Sequence, residues 1–215
     1  MSAAPARPGG LHVLADDDAR WKHDPVEQAR AACLGGAHVG QLRAKHATDG
    51  ETLRWGRAIR ALTRDAGVLF FVNDRFDLAL ACDADGVHLG QEDLPPVRLP
   101  IEVRARLLVG RSTHDEAQAR AALEGPVDYL AFGPLFGTAT KDTGYAARGL
   151  AALRRVADLA APLPVVAIGG IDVAGARRAL DHGAAGVAVI SAVAGADDPV
   201  ARVRELAGLF DAEPV

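Results

Sequence analysis

The sequence predicts an α/β fold, a single (β/α)8 barrel of the TIM type. Eight short runs are apolar without alternation, as expected for parallel strands that are covered on both faces. Most segments between them carry Ala-, Leu- and Arg-rich helical patterns. The chain has 215 residues, 49% of them hydrophobic, and no linker-like stretch divides it. An open doubly wound sheet is the alternative, because strand count alone does not prove closure.

The eight runs follow one another along the whole chain. The predicted strands cover residues 11–15, 38–42, 68–72, 86–89, 107–110, 129–132, 164–168 and 186–190. The connection after the fourth strand is the least regular, because Pro95, Pro96 and Pro100 permit only a short helix.

Helix start signals agree with this order. A capping acceptor stands three residues before a glutamate at three places, and Asp172 and Asp198 resemble further N-caps. The three predicted capping boxes are Asp24 with Glu27, Thr48 with Glu51, and Thr113 with Glu116.

The composition sets limits on domains, location and partners. Residues 1–10 are predicted to be a disordered tail without the apolar region of a secretory signal, and residues 11–211 one catalytic domain. A net charge of −4 and an absence of long apolar stretches predict neither nucleic-acid nor membrane partners. Two cysteines without metal-ligand spacing predict reduced core residues in a cytoplasmic protein. The oligomeric state stays open.

Polar residues gather where the predicted strands end. Gln41, Arg43 and Lys45 alternate after the second strand, so they point the same way in extended chain. Only 3 of the 24 basic residues are lysine, and two of these, Lys45 and Lys141, lie in candidate phosphate loops. The alternative for the first loop is a solvated segment with two ordinary cations.

Asp74 and Asp93 follow the third and fourth strands. Either one alone could cap a helix or turn. Two carboxylates at neighbouring strand ends, facing a lysine and an arginine, favour Mg²⁺, which commonly takes one or two carboxylates plus phosphate oxygens.

Two histidines allow both a structural and a functional interpretation. His88 lies within a strand and is either a hydrogen-bonded barrel residue or a ligand contact. Near His114 we expect Thr113 to cap a helix and Ser112 to face the mouth.

The later loops offer donors for phosphate. Thr138, Thr140 and Lys141 lie on a glycine-bearing loop after the sixth strand. Gly169 and Gly170 follow the seventh strand, and Ile190 and Ser191 end the eighth. Loops after strands seven and eight form the usual barrel phosphate site. A mobile loop and a tight turn are the alternatives.

Taken together, these motifs resemble the thiamine-phosphate synthase family from about Leu11 to about Ser191. The resemblance rests on Gln-Leu-Arg-Ala-Lys, Val-Asn-Asp-Arg, Gly-Val-His-Leu-Gly-Gln-Glu-Asp, Ser-Thr-His, Thr-Ala-Thr-Lys and Ala-Ile-Gly-Gly-Ile, in that order. It implies a barrel that joins hydroxymethylpyrimidine diphosphate to thiazole phosphate with Mg²⁺ and releases pyrophosphate.

The resemblance also implies roles for individual residues. Asp74 and Asp93 would bind Mg²⁺, and Arg43, Lys45 and Lys141 would stabilise the departing pyrophosphate. The implied pyrimidine diphosphate contacts are Gln41, Leu42, Arg43, Ala44, Lys45, Asn73, His88, Ser112 and Lys141. The implied thiazole phosphate contacts are Thr138, Ala139, Thr140, Gly170, Ile190 and Ser191.

The chain departs from the family pattern at two positions. Gly137 stands where proline is frequent, and Arg111 where an aliphatic residue is usual. Arginine there is a feature of the related thiazole tautomerases, which lack the aspartate corresponding to Asp93. A tautomerase using His114 and a non-catalytic phosphate-ligand sensor therefore stay open, as does the reason for the acidic run Asp16-Asp17-Asp18.

Overall fold

The computed structural model describes residues 8–137 and 144–211, which form a closed barrel of eight parallel strands in sequence order. Each strand pairs with the next, and the first strand closes the barrel on the eighth. This confirms the predicted fold class and excludes the open sheet. Because all eight strands run in parallel, their carboxyl ends meet at one mouth.

Every predicted strand is present. The strands are β1 Gly10–Asp16, β2 Val39–Arg43, β3 Leu69–Asn73, β4 Gly86–Leu89, β5 Leu108–Thr113, β6 Tyr129–Phe132, β7 Val165–Ile168 and β8 Gly186–Val189. The largest difference from the prediction is at β5, which continues to Thr113 instead of ending at Gly110. Ser112 is therefore fixed by strand pairing rather than by a loop.

Helices alternate with the strands and cover the outside of the barrel. They are α1 Pro25–Gly35, α2 Asp49–Ala66, α3 Phe76–Ala81, α4 Ile101–Arg104, α5 Glu116–Leu123, α6 Gly149–Ala160, α7 Val173–Asp181, α8 Ser191–Ala194 and α9 Pro199–Ala207. The proline-rich connection holds only a 3-10 turn, Pro96–Arg98, and the short α4. This agrees with the restriction that its prolines predict.

Two of the three predicted capping boxes are present, at Asp24 and Thr48. Asp172 and Asp198 also cap helices as predicted. The box at Thr113 is wrong, because Thr113 is a buried residue of β5 whose hydroxyl donates to the Ala131 carbonyl at 3.1 Å. Asp115 caps α5 instead and accepts from the Gln118 amide at 2.8 Å.

The core has an interior and an outer layer. Inward-facing residues fill the barrel, among them Leu14, Phe71, Tyr129 and Val166. Two larger groups of buried residues pack between the sheet and the helices. The apolar interior leaves polar inward-facing positions mainly near the mouth, which is where the candidate site lies.

The chain's N-terminal residues join the barrel earlier than predicted. Pro8 is buried and β1 begins at Gly10, so the predicted tail cannot extend to residue 10. Residues 1–7 lie outside the described range, and their disorder stays a prediction. No helix within the described ranges combines the length and the apolar character needed to cross a bilayer.

His12 is a polar residue deep in the barrel, with 1% of its surface exposed. Its ring centroid lies 5.3 Å from that of Tyr129, and its Nε2 has no hydrogen-bond partner among residues 8–137 and 144–211. Burial lowers the pKa of His12 to about 4, from an ordinary value of 6.5. The folded protein therefore carries His12 in its neutral form at neutral pH.

This burial makes the folding free energy depend on pH. The unfolded chain binds a proton at His12 below about pH 6.5, whereas the folded chain resists protonation down to about pH 4. As the pH decreases from about 6.5 to about 4, we expect the free energy of unfolding to fall by about 3 kcal/mol because of His12 alone. Urea unfolding at pH 7.0 and pH 4.5 should show a smaller pH difference for His12→Leu than for the wild type. An equal difference in both proteins would contradict this account.

Candidate active site at the barrel mouth

A cavity of about 580 Å³ opens at the carboxyl ends of the strands. Nine predicted site residues line it: Arg43, Lys45, Asn73, Asp74, Asp93, Ser112, Gly170, Ile190 and Ser191. Gln41 and His88 are buried, and the Leu42 side chain packs in the outer core layer. Thr138, Ala139, Thr140 and Lys141 lie outside the described residues. Ala44 lies between the two cavity-lining cations.

Asp16, at the end of β1, fixes the first of these cations. Its carboxylate is 1% exposed and forms an ion pair with the Arg43 guanidinium, itself 14% exposed. The same carboxylate accepts from the Trp21 indole Nε1 at 2.8 Å and from the Asp18 amide at 3.1 Å. A buried charge needs partners of this kind. Arg43 is therefore held in place at the mouth.

Asp17 organises the loop that carries the second cation. Its carboxylate accepts from the backbone amides of Lys45, His46 and Ala47 at 2.8–2.9 Å. Burial opposes ionisation of Asp17, but these hydrogen bonds outweigh it and lower its pKa. Asp16 and Asp17 therefore give a structural reason for two of the three residues in the acidic run 16–18.

Asp74 and Asp93 meet across the mouth. Asp74 accepts from Lys45 Nζ and from the Asn73 side chain, and its backbone is left-handed with φ 68°. Burial raises the pKa of Asp93, and the neighbouring Asp74 charge raises it further. Burial also opposes ionisation of Asp74, but Lys45 outweighs it and lowers the Asp74 pKa.

The two carboxyl groups are within hydrogen-bonding reach of each other. Like charges this close favour a proton or a cation between them. Among the described residues, no group of three or more His, Cys, Asp or Glu gathers as a metal cage. Two carboxylates beside an open cavity fit Mg²⁺, which completes its shell with water and phosphate oxygens.

Below the mouth, a chain of hydrogen bonds crosses the barrel interior. The buried Tyr129 hydroxyl lies 2.8 Å from His88 Nδ1, and His88 Nε2 lies 2.8 Å from Ser112 Oγ. Gln41 hydrogen-bonds the same tyrosine oxygen, and burial raises the pKa of Tyr129, which therefore stays a neutral hydroxyl. His88 is thus a hydrogen-bonded barrel residue that supports Ser112.

The opposite wall includes the backbone of the glycine turn after β7. Gly169 and Gly170 have φ of 102° and 65°, and a Cβ on Gly170 would lie 2.4 Å from the Gly137 carbonyl oxygen. Leu135 and Phe136 donate backbone hydrogen bonds to Ile168 and Gly169 at 2.8 and 2.9 Å. The segment leading toward residues 138–143 is therefore attached to the glycine turn.

The β8 end completes this wall. Ile190 and Ser191 line the cavity where β8 passes into α8. Because glycine has no side chain, a ligand can come close to the exposed backbone beside Gly169 and Gly170, as a phosphate site requires. The wall therefore differs in chemistry from the charged wall formed by Lys45, Asp74 and Asp93.

The surroundings of His114 and Gly137 bear on the tautomerase alternative and on the departure from the family pattern. His114 Nδ1 donates to the Gly133 carbonyl, and its ring stacks on Tyr145 with centroids 4.0 Å apart. A Cβ on Gly137 would meet no atom of residues 8–137 or 144–211 within 4 Å, and Gly137 has no positive φ. Packing against the described part of the chain therefore does not impose glycine at this departure from the family pattern.

Several residues that shape the site were missed by the sequence analysis as site residues. They are Asp16, Asp17, Tyr129 and Arg111, whose contacts with site residues or with the loops that carry them join different parts of the barrel. Strand alternation could have placed Asp16 inward, two residues after Leu14. Alternation does not identify its partner, because Arg43 comes 27 residues later.

Comparisons with known proteins agree on one family. Residues 11–193 match the family described as thiamine monophosphate synthase. A thiamine-phosphate synthase of Anaeromyxobacter dehalogenans is 48% identical over 210 residues, 96% of this chain and 90% of the relative. One from Pyrococcus furiosus is 43% identical over 196 residues, 91% of this chain and 92% of the relative.

Solved structures agree with these sequence matches. The thiamine phosphate pyrophosphorylase from Pyrococcus furiosus superposes with a TM-score of 0.86 at 40% identity and covers 95% of this chain and 96% of its own. The corresponding protein of Bacteroides thetaiotaomicron, at 16% identity and a TM-score of 0.67, supports the fold alone.

The Asp16–Arg43 pair predicts a large effect of a small change. Asp16→Asn keeps an oxygen for Trp21 but places an amide against the guanidinium, leaving Arg43 without its counter-charge. We expect a loss of about 3 kcal/mol in urea unfolding. Inorganic pyrophosphate should also bind more weakly in calorimetry, because Arg43 is no longer held in place.

Asp158→Asn is the control, since Asp158 also pairs with an arginine, Arg154, but does so on the exposed face of α6 away from the cavity. That variant should change stability and pyrophosphate binding little. Equal behaviour of the two variants would show that Asp16 has no special role.

Proposed function

The chain belongs to the thiamine monophosphate synthase family and is a transferase that makes thiamine phosphate, and on this premise we propose how its mouth works. Hydroxymethylpyrimidine diphosphate and thiazole phosphate bind side by side and are joined with release of pyrophosphate. Mg²⁺ at Asp74 and Asp93 is part of this proposal.

One observation carries the proposal: a single cavity has two unlike walls. One wall has paired carboxylates with Arg43 and Lys45, and the other has the exposed backbone of Gly170 and Ser191. A metal-bound diphosphate suits the first wall and a phosphate monoester suits the second. Two anionic substrates can therefore occupy one site without competing for the same groups.

The charged wall has capacity left for a diphosphate. Arg43 Nε is buried and has no hydrogen-bond partner within the described chain, so this guanidinium still has an N–H group to donate. Lys45 shares Asp74 with the proposed metal, so a bound cation would compete for that carboxylate and leave Lys45 to contact the diphosphate. Bound Mg²⁺ would neutralise the negative charge that develops on the leaving group.

The reaction proceeds by dissociation in this proposal. The bond between the pyrimidine methylene carbon and the diphosphate oxygen breaks, and its electron pair leaves with pyrophosphate. The thiazole nitrogen then donates its lone pair to the resulting pyrimidine-methyl cation. No covalent intermediate with the enzyme is needed, so the protein contributes positioning and charge stabilisation.

Arg43 and Lys45 have clear roles in this scheme. Both are fixed by aspartates before substrate arrives, Arg43 through its side chain and Lys45 through its backbone amide. Preorganised cations stabilise developing charge without reorganisation. Ser112 is supported by His88 and contacts the pyrimidine. Thr138, Ala139, Thr140 and Lys141 keep the phosphate-binding roles inferred from sequence.

The alternatives from sequence give way to the transferase. The relatives named above are synthases, whereas the tautomerase hypothesis rested on His114 and Arg111. We also propose a cytoplasmic location. It is supported by Cys33 and Cys82, which form no disulfide with each other and are partly and fully buried, respectively.

Incubation of the purified protein with both substrates and Mg²⁺ tests the proposed reaction. Thiamine phosphate and pyrophosphate should appear in equal amounts. Omission of either substrate should abolish both products, and chelation of the metal should reduce them strongly. Formation of pyrophosphate without the thiazole phosphate would instead indicate simple hydrolysis.

Asp93→Asn tests the metal site. Asparagine is isosteric but uncharged, so we expect an unchanged melting temperature and a raised Mg²⁺ requirement. Turnover should fall by about 100-fold or more. Asp77→Asn is the control, because Asp77 pairs with Arg75 on the surface of the adjacent segment. Normal Mg²⁺ dependence in Asp93→Asn would refute the assignment.

Gly170→Ala tests the backbone wall. The new Cβ would collide with the Gly137 carbonyl, and alanine disfavours a φ of 65°. We expect weaker thiazole phosphate binding with unchanged pyrimidine diphosphate binding in calorimetry. Gly137→Ala, on the other side of the same contact, should bind both ligands normally because no atom of the described residues lies within 4 Å of its Cβ. Equal loss of both ligands in Gly170→Ala would indicate a distorted mouth instead.

A further inference from the structure

Arg111 is a buried cation outside the cavity. It lies on β5 opposite Leu89 of β4, and its two strand neighbours Gly110 and Ser112 face the barrel interior, so Arg111 points to the outer layer. Leu89 and Val109 pack there among apolar residues. Arg111 is only 8% exposed, and burial lowers its pKa. A guanidinium in such a layer is costly unless its donors are satisfied.

Its donors are satisfied by the loop that follows β4. Arg111 Nη1 donates to the Gly90 carbonyl at 2.5 Å, and Nη2 lies 3.4 Å from the Gln91 carbonyl. The planar fork of arginine reaches two successive carbonyls, which an ammonium cannot do in the same geometry. The Gln91 side chain in turn donates to the Ser112 carbonyl. The loop is thus attached to β5 from both directions.

Gly90 connects Arg111 to the proposed metal ligand. The Gly90 amide donates to Asp93 Oδ2 at 2.6 Å, and the Gly90 carbonyl accepts from the Asp93 amide at 3.3 Å and from Arg111. The peptide groups on both sides of Gly90 therefore fix the Asp93 carboxyl relative to the sheet. Asp93 also contributes a favourable charge interaction to Arg111.

We propose that Arg111 is a positioning residue that holds the Gly90-Gln91-Glu92-Asp93 loop so that Asp93 meets Asp74 in the geometry that Mg²⁺ requires. The proposal rests on the metal site of the proposed function. Mg²⁺ demands near-ideal octahedral geometry, so a loop that moves loses affinity even when both carboxylates are present. Arg111 touches neither substrate nor metal and acts through the backbone.

Arg111→Met and Arg111→Lys test this. Methionine keeps the apolar stem and removes all donors, whereas lysine keeps the charge but loses the fork. The affinity for Mg²⁺ is measured by calorimetry in the presence of inorganic pyrophosphate. It should fall about tenfold or more in Arg111→Met and by a smaller factor in Arg111→Lys. Thiazole phosphate should bind both variants as it binds the wild type, and amide exchange should accelerate in residues 90–93.

Arg60→Met is the matched control, because Arg60 is another largely buried arginine, paired with Asp85 away from the cavity. It should lower stability without changing Mg²⁺ affinity, whereas a merely structural role for Arg111 would give the same pattern for both arginines. If Arg111→Met does not fold, Arg111→Lys still decides. Wild-type Mg²⁺ affinity in a folded Arg111 variant overturns the proposal, whereas absence of Mg²⁺ binding in the wild type defeats the metal site itself.

Discussion

The closeness of two carboxyl groups, Asp74 and Asp93, is the constraint on which the candidate site depends. In water such a pair is easily tolerated, but at the barrel mouth burial raises the pKa of Asp93 and the neighbouring Asp74 charge raises it further, which favours a cation between the two groups. The structure answers this need with Lys45 at Asp74 and with the Gly90 amide at Asp93. A hard divalent cation would satisfy both carboxylates at once.

The remaining charged residues of the mouth are held in position by residues that do not line the cavity. Asp16 holds Arg43 through its side chain, Asp17 holds the Lys45 loop through three amides, and Arg111 contacts the Asp93 loop from beneath. In the proposed function, this arrangement prepares the cations before a diphosphate arrives. A preorganised site stabilises developing charge without moving its own groups, which is where electrostatic catalysis gains most.

The sequence predicted the barrel well because strand runs and helix caps are local signals. It failed at Thr113 because a capping pattern does not show that β5 continues through it. Gln41 and His88 also lie in a hydrogen-bonded interior chain with Tyr129, which the sequence did not predict because Tyr129 is 41 positions from His88. Their predicted ligand contacts stay predictions. Asp16 and Arg111 were visible as unusual residues, yet their partners depend on which strand ends meet in the closed barrel.

The most direct test of the account is a crystal structure of the protein with Mn²⁺ in place of Mg²⁺ and with inorganic pyrophosphate. The account predicts one anomalous peak about 2.2 Å from an oxygen of both Asp74 and Asp93. Pyrophosphate oxygens should complete the shell of this ion and contact Arg43 and Lys45. An ion bound elsewhere, or pyrophosphate seated on the glycine wall at Gly170 without the metal, would contradict it.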